Sequence, residues 1–289
     1  MVTRFLIGLL GIVLGVIGIT LVLTSENALV FHPKGMVAHS ELKLILTNIA
    51  LMLLIIVPTY LLLFVIVWKY CIKGETARYD PDHTYGLPGE LLMWGLPTLV
   101  VAGMALVTWE ATHQLNPYKP LESTEKPLNV QVVALDWKWL FIYPDLGIAT
   151  LNYFSIPERT PIHLRLTADG SPMNSFWIPQ LSGQIYSMTG MATQLNLMAD
   201  APGEYVGREV EINGEGYADM TFRVKSASQK DFEAWVAQVK KSSSQLTESH
   251  YRELVKPAVD KSVILFSEVE PDLFHKIIHQ YMYPAKPVL

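Results

Sequence analysis

Cysteine is almost absent from this chain. Its 289 residues include one, Cys71. A single cysteine excludes an internal disulfide and any zinc or copper cluster built on several thiolates. Charge is scarce as well. Only 17% of residues are charged, and the net charge is -5, from 22 basic and 27 acidic residues. That balance argues against nucleic acid as a partner. Phosphate cradles are missing too. No Gly-Lys-Ser/Thr occurs, and Gly214-Glu215-Gly216 lacks the third glycine and the following apolar helix of a dinucleotide site. Nothing resembles a nucleophile with its base. Ser171-Pro172 and Ser182-Gly183 read as ordinary turns. There is no internal repeat and no low-complexity segment.

Apolar residues, by contrast, make up 50% of the chain. Three uncharged runs dominate the first 110 residues: Phe5 to Leu23, the stretch between Lys43 and Lys69, and the stretch between Glu90 and Glu110. A membrane-spanning helix requires ~20 mostly apolar residues, and all three qualify on length. The first run follows Arg4 and fits either a cleaved signal or an uncleaved anchor, over residues 1–27. The other two form an expected hairpin over 28–115. Lys69, Lys73 and Arg78 lie in its connector. The positive-inside rule puts that connector in the cytoplasm, with Cys71 in a reducing compartment. Everything after Thr112 then lies outside. Trp68, Tyr70, Trp94 and Trp109 sit near the run ends, where interfacial aromatics belong. Pro58 and Pro97 interrupt the runs, which membrane helices tolerate.

Glu90 opens the third run. It reads in two ways. A carboxylate at a helix N-terminus is stabilised by the helix dipole. An ionisable group at the membrane edge can also handle protons.

Residues 116–127 form a polar, proline-containing linker. Beyond it the hydrophobic period changes from helical to two. Leu128 to Ala134 and Trp137 to Tyr143 are β-rich, and Ile162, Leu164 and Leu166 alternate with His163 and Arg165. Further short segments lie at Asn174 to Pro179, Gln184 to Met188 and Thr193 to Met198, with a turn at Thr189-Gly190. Many short strands with turn signals argue for a β-sandwich or barrel over 128–226. Gly203 to Met220 reads as a glycine-rich, solvated acidic loop between two strands, with glycines where the backbone needs positive φ or close approach. After Val224 the pattern turns helical. Ser228 with Asp231 caps one helix, and Pro271 suits the first turn of another. Residues 227–289 are thus a helical extension.

Metal-ligand signals are weak. His275 and His279 are spaced i,i+4, but no general-base Glu and no further ligand accompany them. His163 is a surface strand residue. Trp137 and Trp139, at i,i+2, would face one side of a strand, either as core or as an electron route or docking surface.

These residues form a pattern. Glu90-x-x-x-Trp94-x-x-Pro97, the Trp137-x-Trp139 strand, Ser-Phe-Trp-Ile-Pro at 175–179 and Gly-x-Tyr-x-Gly at 203–207 resemble subunit II of the haem-copper terminal oxidases. The resemblance covers nearly the whole chain from about His32. It implies a membrane α-helical hairpin followed by an all-β cupredoxin-like barrel with a helical extension. In the cytochrome c oxidases of this family the subunit holds a binuclear copper centre. At the matching positions stand Asn174, Glu209, Asn213 and Tyr217, and only Met220 is kept. Carboxylate and amide oxygens do not replace soft sulfur. That departure resembles the quinol-oxidising branch, as do Asp136-Trp-Lys-Trp, Gly183-Gln-Ile-Tyr and Glu270-Pro-Asp-Leu-Phe.

The resemblance implies a copper-free subunit of a ubiquinol oxidase in a bacterial inner membrane, with its β-domain in the periplasm. Haems and copper would sit on the partner subunit I, smaller membrane subunits would complete the complex, and cytochrome c would not be a partner. It further implies a proton-entry role for Glu90, a magnesium contact at the subunit boundary for Glu211, and a structural role for Trp137 and Trp139. The alternative is a membrane-anchored periplasmic module unrelated to respiration.

Overall fold

The structure, a computed structural model, describes residues 2–25, 27–71, 86–171 and 173–282. Lys73 and Arg78, on which the membrane orientation rests, lie outside the described residues, as do Pro172 and the last seven residues of the extension. The side chains of Tyr70 and Cys71 are likewise not described.

Three helices come first: α1 (Val2–Thr24), α2 (Met36–Cys71) and α3 (Leu87–Gln114). Among the described residues, α2 and α3 are long and apolar enough to cross a membrane. Helix α2 begins well before Lys43, so it outruns the apolar stretch that announced it. Hydroxyls inside the helices bond to their own backbone. Thr59 Oγ1 donates to Ile55 O at 2.8 Å, and Thr98 Oγ1 donates to Trp94 O at 2.6 Å. This satisfies polar groups where lipid offers no partner. Residues 40–116 form one compact unit, and residues 1–39 with 117–289 form the other.

Among the described residues the second unit has eleven strands. They are β1 (Leu128–Leu135), β2 (Lys138–Tyr143), β3 (Ile148–Leu151), β4 (Tyr153–Pro157), β5 (Ile162–Ala168), β6 (Met173–Trp177), β7 (Ile185–Met188), β8 (Thr193–Leu197), β9 (Gly203–Glu209), β10 (Thr221–Ala227) and β11 (Ile264–Phe266). One sheet has the order β11-β3-β2-β1-β5-β8 and the other β4-β10-β9-β6-β7. Both are mixed, because β1 runs parallel to β5 and β4 parallel to β10. This two-sheet sandwich is the all-β domain that the alternation predicts. The alternation on β5 decides its two faces. Ile162, Leu164 and Leu166 point between the sheets, and His163 and Arg165 point away. Aromatic rings fill the interior. Phe141 stacks on Phe154 at 4.9 Å, Phe176 on Phe222 at 5.0 Å, and Trp139 meets Phe176 edge-on at 5.3 Å. Each such side chain contributes about 1.5–3 kcal/mol through burial alone.

The extension is a third layer. Helix α4 (Gln229–Val239) is capped as the sequence suggests, with Ser228 Oγ accepting from Asp231 N at 3.2 Å. Its Phe232, Val236 and Val239 join the sandwich interior. Helix α5 (Glu248–Leu254) and helix α6 (Leu273–Met282) instead cover the outer face of the first sheet, whose edge β11 extends beside β3. Their Tyr251, Phe266, Phe274 and Ile277 pack on Val133, Leu135, Leu140 and Ile142. Pro271 does not open α6. Asp272 adopts φ +57°, a left-handed conformation, so the helix starts only after it. Asp169, on the outer face and buried, anchors the layer. It accepts from Tyr251 Oη at 2.5 Å, Tyr281 Oη at 2.7 Å and Gln280 Nε2 at 3.0 Å.

Two segments tie the chain before α2 and after α3 to this domain. Gly35 bridges Ala199, and Lys34 N donates to Gln180 O at 2.7 Å. Asn196 Nδ2 donates to Pro117 O at 2.9 Å.

Gly207, on β9, faces the core. A Cβ there would fall 1.9 Å from Phe222 Cζ. Phe222 is itself held by Phe141 and Phe176, so the ring has nowhere to go. Gly207→Ala is expected to destabilise the β-domain by roughly 3 kcal/mol, at the upper end for overpacking. Thermal denaturation of the detergent-solubilised protein checks this, and an unchanged midpoint would refute the account.

Candidate functional site

Residues 203–220 are not one loop. Residues 203–209 form β9, which lies between β10 and β6 in the second sheet. Tyr205, Gly207 and Glu209 point inward, and Glu204, Val206 and Arg208 point out. The alternation was hidden because two of the three inward residues are a glycine and an acid. Only the stretch after Glu209 is irregular, ending in a short 3₁₀ turn at Tyr217–Asp219. Gly214 there has φ +136°, and Gly216 lets the Trp137 ring approach to where a Cβ would be.

The fold brings together most of the residues that the resemblance sets at copper positions. Glu209 is buried, 5% exposed, and is not a solvated acid. Its Oε1 accepts from Ser175 N at 2.6 Å and Glu211 N at 2.8 Å. Its backbone N–H donates to Met220 O at 2.9 Å. Asn213 Nδ2 donates to Asn174 Oδ1 at 2.5 Å and approaches Met220 Sδ at 3.8 Å. Tyr217 is half-buried in the 3₁₀ turn beside them. Two buried oxygens here have no partner, Glu209 Oε2 and Asn213 Oδ1.

These donors do not fit a binuclear copper centre. The set offers one thioether, one carboxylate, one phenol and two amides already bonded to each other, with no thiolate and no imidazole. Soft copper requires the ligands that are missing. Burial pushes the Glu209 carboxyl up to about 7. The N–H groups of Ser175, Glu211 and Val210 pull it back down, and Glu211 pushes it further up.

The two tryptophans part company. Trp139 is on β2 and fully buried between Phe176 and Phe222. Trp137 is not on the strand. It has φ +63° in the turn between β1 and β2, and its half-buried ring packs on Gly214 and Gly216. The expectation that both face one side of a strand is therefore corrected. The i,i+2 rule holds only while both residues are extended, and the tight turn ends the period at Lys138.

Glu211 is half-buried beside Glu209. Among the described residues no three His, Cys, Asp or Glu side chains gather as a metal site. His163 is half-buried rather than a free surface residue, and its Nδ1 lies 2.9 Å from Asn196 Oδ1. His275 and His279 lie on the exposed face of α6.

Glu90 stands in the first turn of α3, after the Gly86 cap and Pro88. Its N–H donates to Gly86 O at 3.2 Å, and its side chain is exposed on the helix. Glu90, Trp94 and Thr98 follow one another on one face, and Gly95 leaves a shallow groove along it.

Residues 240–285 match the family described as COX Aromatic Rich Motif. They supply Tyr251, Phe266 and Phe274 to the third layer. Over the whole chain, the cytochrome bo(3) ubiquinol oxidase subunit 2 of Pseudomonas putida is 42% identical over 261 residues, 90% of this chain and 83% of that one. The ubiquinol oxidase subunit 2 of Acetobacter aceti is 43% identical over 93% of this chain and 87% of that one. The quinol oxidase subunit 2 of Bacillus cereus (strain ATCC 14579) is 38% identical over 80% and 79%. Among solved structures, the periplasmic domain of subunit II of cytochrome oxidase of Bradyrhizobium japonicum aligns over 43% of this chain and 98% of that one, at 20% identity and a TM-score of 0.40. The family assignment rests on the sequence relatives.

Glu209 makes the domain sensitive to pH. Its folded pKa of about 7 lies above the ordinary 4.5. Between those values the unfolded chain has already lost a proton that the fold keeps, so stability falls as pH rises. The loss begins near the ordinary value and is complete once pH passes the folded one, at roughly 3 kcal/mol from ~1.4 kcal/mol per pH unit. Glu209→Gln is expected to flatten that dependence and to denature at a higher temperature than wild type at pH 8. Denaturation at pH 5 and pH 8 measures it. A variant that loses as much stability between the two as wild type would count against the assignment.

Proposed function

The chain belongs to the quinol oxidase subunit 2 family, and from that premise we propose that it works as the copper-free second subunit of a ubiquinol-oxidising complex. It is a membrane-anchored subunit of a respiratory oxidoreductase. The alternative, a module unrelated to respiration, is not favoured by these relatives. The observation that carries the copper-free reading is the Asn213–Asn174 amide bond at 2.5 Å beside buried Glu209. Hydrogen bonding between side chains occupies the place where copper would need thiolates and imidazoles.

Electrons from ubiquinol then pass to oxygen on the partner subunit I, which carries the haems and copper of the complex. Cytochrome c has no acceptor to reduce on this chain. Trp137 and Trp139 serve as packing. Trp139 fills the sandwich, and Trp137 seats the 210–217 turn through Gly214 and Gly216. The β-domain lies in the periplasm of a bacterial inner membrane, with α2 and α3 against lipid, subunit I and the smaller membrane subunits. Glu211, half-buried on the remodelled turn, is the residue of this chain suited to a magnesium ion at the subunit boundary. A carboxylate completed by waters and a second acid from the partner meets what that ion asks.

Glu90 is the residue through which this subunit enters the reaction. In the first turn of α3 its carboxyl meets both water and the apolar helix that follows. Such a group can exchange protons with the bulk and pass them inward, as a Gln cannot.

Two measurements test this reading. Metal analysis of the purified complex, with the visible spectrum, is expected to find no thiolate-copper band. A binuclear copper signal assigned to this subunit would overturn the reading. Glu90→Gln is expected to slow oxygen reduction roughly tenfold, less than the usual range for a lost proton-transfer group because entry routes can be shared. Assembly and haem content should hold. Full turnover in a fully assembled variant would leave Glu90 as a helix terminus only.

A further inference from the structure

The outer face of the first sheet is divided. The extension covers one half, over Val133, Leu135, Leu140 and Ile142. The other half is polar and in register. Asn129 pairs with His163 and His163 with Asn196; Gln131 pairs with Arg165 and Arg165 with Gln194. Two rows of hydrogen-bonding side chains therefore lie side by side across β1, β5 and β8.

A cleft of about 310 Å³ opens over this half, lined by Asn129, Val130, Gln131, Pro144, His163 and Arg165. It has one formal charge in its lining, Arg165. The Arg165 guanidinium carbon lies 5.4 Å from the centroid of the Phe274 ring, which restrains it. Among the described residues it makes no ion pair and no side-chain hydrogen bond. Every donor on the guanidinium is therefore available. His163 is turned by its bond to Asn196 Oδ1, so Nδ1 carries the proton there and Nε2 is left over. Asp145 Oδ2 accepts from Asn129 Nδ2 at 3.0 Å. A neighbouring cleft shares Gln131 and Pro144 but is lined by Glu270 and Asp272, so the side favourable to an anion is the Arg165 side.

We propose that this cleft binds a phosphate group, supplied by the headgroup of an anionic phospholipid. A half-buried arginine with its fork free and its plane restrained by an aromatic ring is suited to bidentate phosphate recognition. The amides of Asn129 and Gln131 add donors at the same floor. The lipid source follows from the chain itself. Asn196, next to His163, holds the carbonyl of Pro117, which is three residues past the end of α3 at Gln114. The cleft floor is thus tied to the segment that leaves the membrane-spanning helix. This inference shares with the proposed function only the membrane anchoring, and it stands whether or not Glu90 handles protons.

The test uses the purified oxidase complex in nanodiscs. Phosphatidylglycerol carrying a photoreactive headgroup is incorporated, and labelled peptides are mapped. Labelling is expected within residues 129–144 and 160–166. Arg165→Gln should lower its yield about tenfold, the scale of a lost charge-assisted pair. Arg165→Lys keeps the charge without the planar fork and should fall between. Arg208→Gln, an exposed arginine on the outer face of the other sheet, should change nothing. Phosphatidylcholine with the same photoreactive group should label weakly. Labelling that millimolar inorganic phosphate suppresses would support the phosphate chemistry and name free phosphate as a second source. Equal labelling in wild type and Arg165→Gln, or an equal drop in Arg208→Gln, overturns the proposal. So does labelling of this segment by neither lipid.

Discussion

Burial of one β-sheet on both of its faces is the constraint on which the rest of this domain depends. Strand β2 (Lys138–Tyr143) has no exposed residue. Its Trp139 and Phe141 face the sandwich interior, and Leu140 and Ile142 face the third layer. An open sheet with that sequence would expose a broad apolar surface, which soluble domains avoid. The extension is therefore part of the fold and not an appendage. Asp169 makes the point in polar terms. Buried beneath the layer, its carboxylate accepts from two tyrosine hydroxyls and one amide, all from α5 and α6. Burying an unpaired carboxylate would be costly, so the anchor and the layer require each other.

The same sheet also ends the cover. Where β1 and β5 carry Asn129, Gln131, His163 and Arg165, the cover thins to the contact of Phe274 with Arg165, because polar side chains offer little apolar surface to pack on. One strand pair thus serves as core at one end and as a polar floor at the other. The change occurs between Gln131 and Val133, two residues apart on the same face.

The turn after β9 is held to β6 by hydrogen bonds. Glu209 is caged by backbone N–H groups, and Asn174 bonds Asn213 across the gap between β6 and the turn. Hydrogen bonds do locally what metal coordination does elsewhere, which is to hold two segments at a fixed distance. The arrangement is less complete than coordination, since Glu209 Oε2 and Asn213 Oδ1 remain unpartnered. Burial is the main cause that pushes the Glu209 carboxyl above its ordinary range, with Glu211 adding to it.

Much of this was determined by sequence alone. Long uncharged runs can satisfy their backbones in lipid only as helices, so α2 and α3 were legible from composition. Alternation marked β5, and a Ser-to-Asp spacing marked the start of α4. The motifs from Glu90 to Glu270 pointed to the family, and the residues at the copper positions pointed to its branch. Tertiary structure decided what depends on distant partners. β9 was hidden because its inward positions include Gly207, whose missing side chain makes room for Phe222, and Glu209, whose carboxyl is met by the Ser175 N–H on another strand. Strands β3, β4 and β11 and helix α5 are too short to carry a period of their own. Trp137 left its strand through a left-handed turn that the aromatic run concealed. Arg165 read as one more wet-face residue until the register placed it beside Gln131 and Gln194 and the extension set Phe274 against it. Local sequence sets which residues can be buried. What each of them is buried against, and which polar groups are left without a partner, is fixed only when strands far apart in the chain are brought side by side.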